Sequence, residues 1–328
     1  MTQDEIYTAL NTKMGLPKSS NLTALWKMLC TDAESEIAVL LPGTADEISA
    51  KTGKDINETG SILLSLFHKG AAFKSVRGGA TQYKLAKHIF QFHDASILWD
   101  GATGEFYALW KKVMDDDFTG LMKGMPEAVK LPPFMRVIPI HETIEPRSTV
   151  LTYEECARMV EGSEHVAVVK CPCRLSQKNC DAPVEACIQL NRGADYALDR
   201  GHGREISKGE AIEILKKSEE AGLVHMTENR KSGNVICNCC SCCCEMFRLM
   251  EFSGKKWILA PSRYLASVSA ECTSCDACVG ICPVDAISID GIALVDPEAC
   301  MGCGLCATVC PVNAIMLNET RPEEHIPK

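Results

Sequence analysis

Cys272-Thr273-Ser274-Cys275-Asp276-Ala277-Cys278-Val279-Gly280-Ile281-Cys282-Pro283 is written a second time, in the same spacing, as Cys300-Met301-Gly302-Cys303-Gly304-Leu305-Cys306-Ala307-Thr308-Val309-Cys310-Pro311. Three cysteines within seven residues can wrap one metal centre with a single loop. Thiolates are soft donors, suited to iron–sulfur clusters, zinc or copper(I). Structural zinc sites usually come as paired Cys-x-x-Cys arms on a long spacer. Two matching four-cysteine runs, each closed by Cys-Pro, do not follow that plan. The expected chemistry is iron–sulfur, and the expected work is handling electrons.

The repeat extends past the cysteines, as Cys-Pro-Val-Asp-Ala-Ile at 282–287 and Cys-Pro-Val-Asn-Ala-Ile at 310–315, with Asp290-Gly291 turning a hairpin between them. Through these runs the C-terminal part resembles the bacterial two-[4Fe–4S] ferredoxins. That resemblance implies a pseudo-twofold fold in which each run supplies three thiolates to one cluster and its fourth to the other. Cys272, Cys275, Cys278 and Cys310 are then the ligands of the first cluster. Cys300, Cys303, Cys306 and Cys282 are those of the second.

Composition bounds the rest. The 328 residues suffice for two or three domains, and an apolar share of 46% is ordinary for a globular chain. Twenty cysteines are not ordinary. The opening Met1-Thr2-Gln3-Asp4-Glu5 is acidic and lacks the apolar core of a signal peptide, so a cytoplasmic location is expected. In that setting cysteine at this density reads as metal binding rather than disulfides. No apolar run approaches membrane-spanning length; Ile37–Leu41 stops at Pro42-Gly43. A net charge of −9 argues against general affinity for nucleic acid.

The expected fold class is α+β multidomain. A winged-helix-like domain covers 1–89, a helical segment and connector 90–149, a cysteine-rich α/β domain 150–260, and the ferredoxin-like 2[4Fe–4S] domain 261–328. In the first, helices are expected from Asn21 to Cys30 and from Asp32 to Leu41. A third opens at the Thr44/Glu47 capping box and ends at Gly53, and a fourth runs from Asp55 to Lys69. A hairpin follows, Ala72–Val76 and Thr81–Leu85 around Arg77-Gly78-Gly79. Residues 1–95 hold ten basic and ten acidic side chains, and the fourth helix opens with Asp55 and Glu58. Only Lys74, Arg77, Lys84 and Lys87 offer positive charge at the hairpin. DNA readers carry a basic face, so protein contact or dimerisation is expected instead. Phe90, Phe92, Ile97, Leu98, Phe106, Leu109, Trp110 and Val113 read as core along helices over 90–130. In the centre, a helix is expected from Thr152 (boxed with Glu155) to Val160, strands at Phe134–Ile140, Val166–Lys170, Leu223–Met226 and Asn234–Cys237, and a helix opening at Ser207-x-x-Glu210 and closing at Gly222.

A second field of cysteines occupies that centre: Cys171, Cys173, Cys180 and Cys187, then Cys237, Cys239, Cys240, Cys242, Cys243 and Cys244. Each group is expected where a strand ends. Neighbouring residues in a strand point to opposite faces, so the 237–244 run should divide its thiols between two centres, or between one centre and a free dithiol. One or two further Fe–S clusters lead the readings. Behind them stand a cluster beside a redox-active cysteine pair, a zinc or storage site, and inert buried cysteines. Lys170, Arg174, Lys178 and His225 read as solvated charges, and Cys30 and Cys156 as core.

Cys171-Pro172-Cys173-Arg174 and Ile236-Cys237-Asn238-Cys239-Cys240-Ser241-Cys242-Cys243-Cys244 also make the whole chain similar to a poorly characterised family of iron–sulfur proteins of anaerobes. That resemblance implies low-potential electron transfer and supplies no substrate. There is no Walker loop, no G-x-G-x-x-G and no C-x-x-C-H. The leading function is an electron-transfer protein or subunit of an anaerobic redox complex. The alternatives are a disulfide or sulfur-compound reductase using the central cysteines, and a redox-sensing regulator. No residue receives a catalytic role. Expected partners are a redox protein, such as a flavoprotein or larger oxidoreductase, and a second copy of the chain through its N-terminal domain.

Overall fold

The computed structural model describes residues 1–146, 148 and 150–328, without the side chains of Arg77 and Tyr153. The chain divides into two compact units, one of Met1–Gly124 with Pro172–Lys178 and Asp199–His202, the other of the remaining residues.

The first unit opens with α1 (Gln3–Lys13), α2 (Ser20–Leu29) and α3 (Asp32–Leu40). Thr2 and Glu5 exchange hydrogen bonds across the start of α1, as Thr31 and Glu34 do for α3. A two-residue strand β1 (Gly43–Thr44) leads into α4 (Ala45–Thr52), boxed by Thr44 and Glu47 and ended by Gly53 at φ 70°. Asp55 caps α5 (Ile56–His68), and β2 (Ala72–Arg77) and β3 (Ala80–Leu85) form the hairpin. The three strands lie in the order β1-β3-β2. α6 (Ile89–Ser96) and α7 (Gly104–Lys112) follow, then a π-helical turn over Val113–Phe118 and α8 (Thr119–Gly124). The aromatic stripe is core: Trp26 stacks on Phe92 at 4.2 Å, Phe92 meets Trp110 edge-on, and Trp110 donates to Ser96 Oγ at 3.1 Å. The helices stop at Gly124, short of the expected 130, and Pro126 ends the helical run.

Two later segments belong to this unit. Ser176 Oγ lies 3.3 Å from the buried His93 Nε2. Arg200 donates to the carbonyls of Phe67 and Ala72, each at 2.9 Å, over the Phe73 ring. Lys74, one of the hairpin cations, pairs with Asp199 at 2.7 Å, while the side chain of Arg77 lies outside the described residues.

The second unit is built on a seven-stranded sheet. Its strands are β4 (Met135–Ile138), β5 (Val166–Lys170), β6 (Glu185–Leu190), β7 (Gly203–Glu205), β8 (Val224–Glu228), β9 (Val235–Cys239) and β10 (Leu259–Ala260), in the order β10-β4-β8-β9-β6-β5-β7. All its pairings are antiparallel except β10 with β4. Val160 of α9 (Cys156–Glu161) and Leu215 of α12 (Lys208–Glu220) pack with Val166, Val168, Ile188 and Ile236 in the core. Between α9 and α12 in the chain come α10 (Pro172–Gln177, of the first unit) and α11 (Arg192–Asp199). Ser207 caps α12. α13 (Glu245–Ser253) starts at the end of the cysteine run. The helix expected from Thr152 breaks in two: a 3-10 turn covers Thr152–Glu154, and Glu155 opens α9 rather than boxing with Thr152.

The C-terminal part pairs β11 (Tyr264–Val268) with β14 (Ile315–Glu319), and β12 (Ile287–Asp290) with β13 (Ile292–Val295), all antiparallel. Short helices α14 (Ala277–Ile281) and α15 (Leu305–Thr308) carry the middle of each cysteine run. Ile144, Tyr264, Ile287, Ile315 and Leu317 pack around Cys278 and Cys306. At its root Arg263 is held by the buried Glu154, with Nε–Oε1 at 2.6 Å.

Candidate iron–sulfur sites

The two C-terminal runs share more than spacing. Positive φ recurs at the same three places of each: Ser274 and Gly302, Asp276 and Gly304, Asp285 and Asn313. Left-handed residues turn the loop inward, and Gly, Asn and Asp tolerate that conformation best. The amides of Ala286 and Ala314 each donate to the sulfur four residues back, Cys282 and Cys310, at 3.2 Å. Ala293 N–H donates to Cys272 Sγ at 3.4 Å. Such N–H···S bonds favour a charged thiolate.

The sulfurs fall into two sets. Around Cys278 the neighbouring thiols are Cys272, Cys275 and Cys310. Around Cys306 they are Cys303, Cys300 and Cys282, with Cys278 beyond. A small pocket, partly open to solvent, is lined by Cys282, Cys300, Cys303 and Cys306 with Ile287 and Leu317. Burial pushes Cys303 up to about 12, offset by the Leu305 amide and reinforced by Cys300 and Cys282. The bare thiols of Cys303 and Cys306, both raised by burial, stay protonated, and a bound cation is what would release those two protons. Four soft donors, amides directed at sulfur and an apolar lining fit a [4Fe–4S] cluster.

The charged side chains of this stretch of chain are acidic, with Arg321 just beyond it standing near Cys300 and Glu298. From Tyr264 to Thr320 there are seven carboxylates and no Lys or Arg. The connector between β4 and α9 touches it directly: Ile140 N–H donates to Cys303 O at 2.9 Å, and Glu145 N–H to Leu317 O at 2.9 Å.

The central cysteines gather in two groups. In one, Cys187 meets Cys171 and Cys237, and Cys239 meets Cys237 and Cys244. Neighbouring thiols, then burial, hold Cys187 and Cys239 well above the usual thiol range. Strand pairing explains this assembly. Val169 at the end of β5 is opposite Cys187, and Ile188 is opposite Ile236, so β5, β6 and β9 deliver Cys171, Cys187, Cys237 and Cys239 together. The expectation that every cysteine group sits where a strand ends is corrected here, since Cys187 and Cys237 lie within strands.

In the other group the sulfurs of Cys180, Cys240, Cys242 and Cys243 all lie within 4.8 Å of one another. Burial opposes the charged form of Cys180, but the Ala182 amide and the thiols of Cys242, Cys240 and Cys243 bring it below the usual thiol range. Cys242 is pushed up to about 11, by burial first and then by Cys180. Two pairs of sequence neighbours are split between the groups, Cys239 from Cys240 and Cys244 from Cys243. Cys173 stands on α10, in the first unit.

Two of the charges read as solvated are buried instead. Arg174 is 3% exposed and His225 2%. His225 lies 2.6 Å from Asn238 Oδ1 and 2.9 Å from Glu219 Oε1, and Asn238 Nδ2 donates to Ala186 O at 2.6 Å. This chain fixes β9 between Cys237 and Cys239 to β6 beside Cys187. Sequence reasoning missed Asn238 and Glu219, because no spacing rule reports a side chain that bridges two strands. Cys30 and Cys156 are buried, as core cysteines should be.

Residues 268–288 and 293–316 match the family model described as "4Fe-4S binding domain". The C-terminal part of the chain is therefore a ferredoxin-like iron–sulfur domain, with the electron-transfer role such domains support. No curated protein matches the chain, and no solved structure does. Among the described residues no helix is long and apolar enough to cross a membrane.

Proposed function

We propose that the chain is an electron-transfer protein, or a subunit of an anaerobic redox complex, with two C-terminal [4Fe–4S] clusters and a further redox centre held by Cys171, Cys187, Cys237, Cys239 and Cys244. When bound, each cluster supplies a one-electron store at low potential. The protein's own contribution is to gather thiolates, direct the amides of Ala286, Ala293 and Ala314 at sulfur, and keep water out with Ile287 and Leu317. The observation that carries the reading is the match of both runs to the 4Fe-4S binding domain, joined to the two separate sulfur sets there. The redox partner is a protein with a basic docking face, because the stretch from Tyr264 to Thr320 carries seven carboxylates and no Lys or Arg.

The test is anaerobic iron and sulfide stoichiometry with EPR of the reduced protein. More than eight irons per chain are expected. Eight irons, unchanged when Cys171 and Cys239 become Ser, would remove the central centre and leave the terminal pair standing.

The N-terminal helices and hairpin we read as a winged helix that contacts protein, a second copy of this chain included. Its charges balance, and Asp199 engages Lys74 within the unit. Full-length protein should then show no salt-resistant retention on duplex DNA and should self-associate or hold a redox partner. Tight binding to one DNA sequence at physiological salt would instead favour the regulator.

A further inference from the structure

Cys180, Cys240, Cys242 and Cys243 differ from the other sulfur sets in how closely they stand. Cys180 Sγ is 3.6 Å from Cys240 Sγ and 3.7 Å from Cys243 Sγ, and Cys242 Sγ is 3.8 Å from Cys243 Sγ. Four thiolates around one tetrahedral ion at ~2.3 Å stand about 3.8 Å apart along each edge. A cube takes its four thiolates on four different irons, directed outward, so its sulfurs stand farther apart. Among the described residues only the Cys180 set brings all its sulfurs within 4.8 Å of one another, which neither terminal set does.

We propose that Cys180, Cys240, Cys242 and Cys243 bind a single tetrahedral divalent ion, zinc or ferrous iron, and no cube. Four protein ligands make a closed site, the arrangement of a structural ion. The surrounding bonds support it. Amides of Ala182 and Asn179 donate to the sulfurs of Cys180 and Cys243. Asn179 Nδ2 and Arg248 Nη1 donate to Cys242 O at 2.7 and 3.3 Å. The ion staples the loop at Asn179–Cys180 to the turn between β9 and α13. By holding Cys240 and Cys243 it also fixes the backbone of Cys239 and Cys244, which belong to the neighbouring group. The site stands on its own geometry and does not depend on the terminal clusters.

Full-length protein prepared anaerobically should contain one zinc per chain, with four sulfurs at ~2.3 Å in its zinc-edge absorption spectrum. If iron fills the site, the oxidised protein should give the EPR signal of a mononuclear high-spin ferric ion. Cys180→Ser and Cys242→Ser should each lose that one metal, no sulfide, and none of the terminal-cluster signal. Loss of about four irons with equal sulfide would overturn the proposal in favour of a cube. So would a wild-type protein with neither zinc nor mononuclear iron, or one carrying a Cys180–Cys240 disulfide. The wild-type measurements decide the matter even where a variant does not fold.

Discussion

Cys180 and Cys240, sixty residues apart in the chain, hold their sulfur atoms 3.6 Å apart. Cys239, the immediate neighbour of Cys240, turns its sulfur to Cys237 and Cys244 instead. One peptide bond thus separates two sulfur sites, and a change in one is felt at the other through the backbone of β9. The same economy governs the C-terminal domain, where Cys282 belongs by sequence to the first run and by position to the pocket lined by Cys300, Cys303 and Cys306.

Replacing Cys282 with Ser should therefore perturb the second cluster rather than the first. EPR of the reduced variant is the measurement, with the wild-type pair as reference. A spectrum in which the cluster of Cys272, Cys275 and Cys278 alone had changed would contradict the assignment. Pro283→Ala should have a much smaller effect, since Pro283 carries no ligand.

Gly302→Ala should selectively damage the same cluster. Gly302 sits at φ 63°, and a Cβ there would lie 2.2 Å from Tyr264 O. The conformation alone costs an alanine ~1–3 kcal/mol, and the overlap with backbone adds to it. Expected are lower iron content, loss of the second-cluster signal and persistence of the first. Normal iron content in the variant would count against this account.

Glu154→Leu removes one partner of a buried pair. Glu154 accepts from Arg263 Nε at 2.6 Å and from Nη2 at 3.1 Å, and both side chains are nearly inaccessible. Leaving the guanidinium without it should destabilise the protein by about 3–5 kcal/mol, toward the lower end because Glu319 also bonds Arg263. Glu319→Gln, at a half-buried partner, should cost about 1 kcal/mol. Chemical denaturation of anaerobic holoprotein would compare the two, and equal effects would refute the ranking.

His202 makes stability depend on pH. Burial, and then the Arg200 guanidinium, lower it from 6.5 to about 4. The folded state favours the neutral ring, so between those values the unfolded chain binds more protons and stability rises with pH. The contribution is complete above pH 6.5 and is lost as pH falls toward about 4. His202→Gln should flatten that part of the profile in denaturation midpoints measured across the interval. An unchanged slope would show that other groups carry it.

Much of the architecture could be read from local signals. The Thr44/Glu47 box, Gly53, the Asp55 cap and the Ala72–Leu85 hairpin act over a few residues, and the structure has each of them. α1 carried the same signal in Thr2 and Glu5, which went unread. β1 has two residues, too few to show any period. The order β10-β4-β8-β9-β6-β5-β7 was beyond reach, because antiparallel partners were chosen by long-range burial of Val166, Val168, Ile188 and Ile236 rather than by adjacent turns.

The iron–sulfur character of the C-terminal domain is legible in its residues alone. Three ligands within seven residues, with Gly, Ser, Asp or Asn where the loop must turn left-handed, form a site from one short stretch of backbone. How the central cysteines divide depends instead on contacts far apart in the chain. Cys171 follows β5 while Cys187 and Cys237 lie in β6 and β9, and Cys180 reaches Cys240 across sixty residues, so their grouping follows from sheet register and loop closure. Strand alternation says that neighbours such as Cys239 and Cys240 must part, but which distant thiol each one meets depends on every strand packed between them.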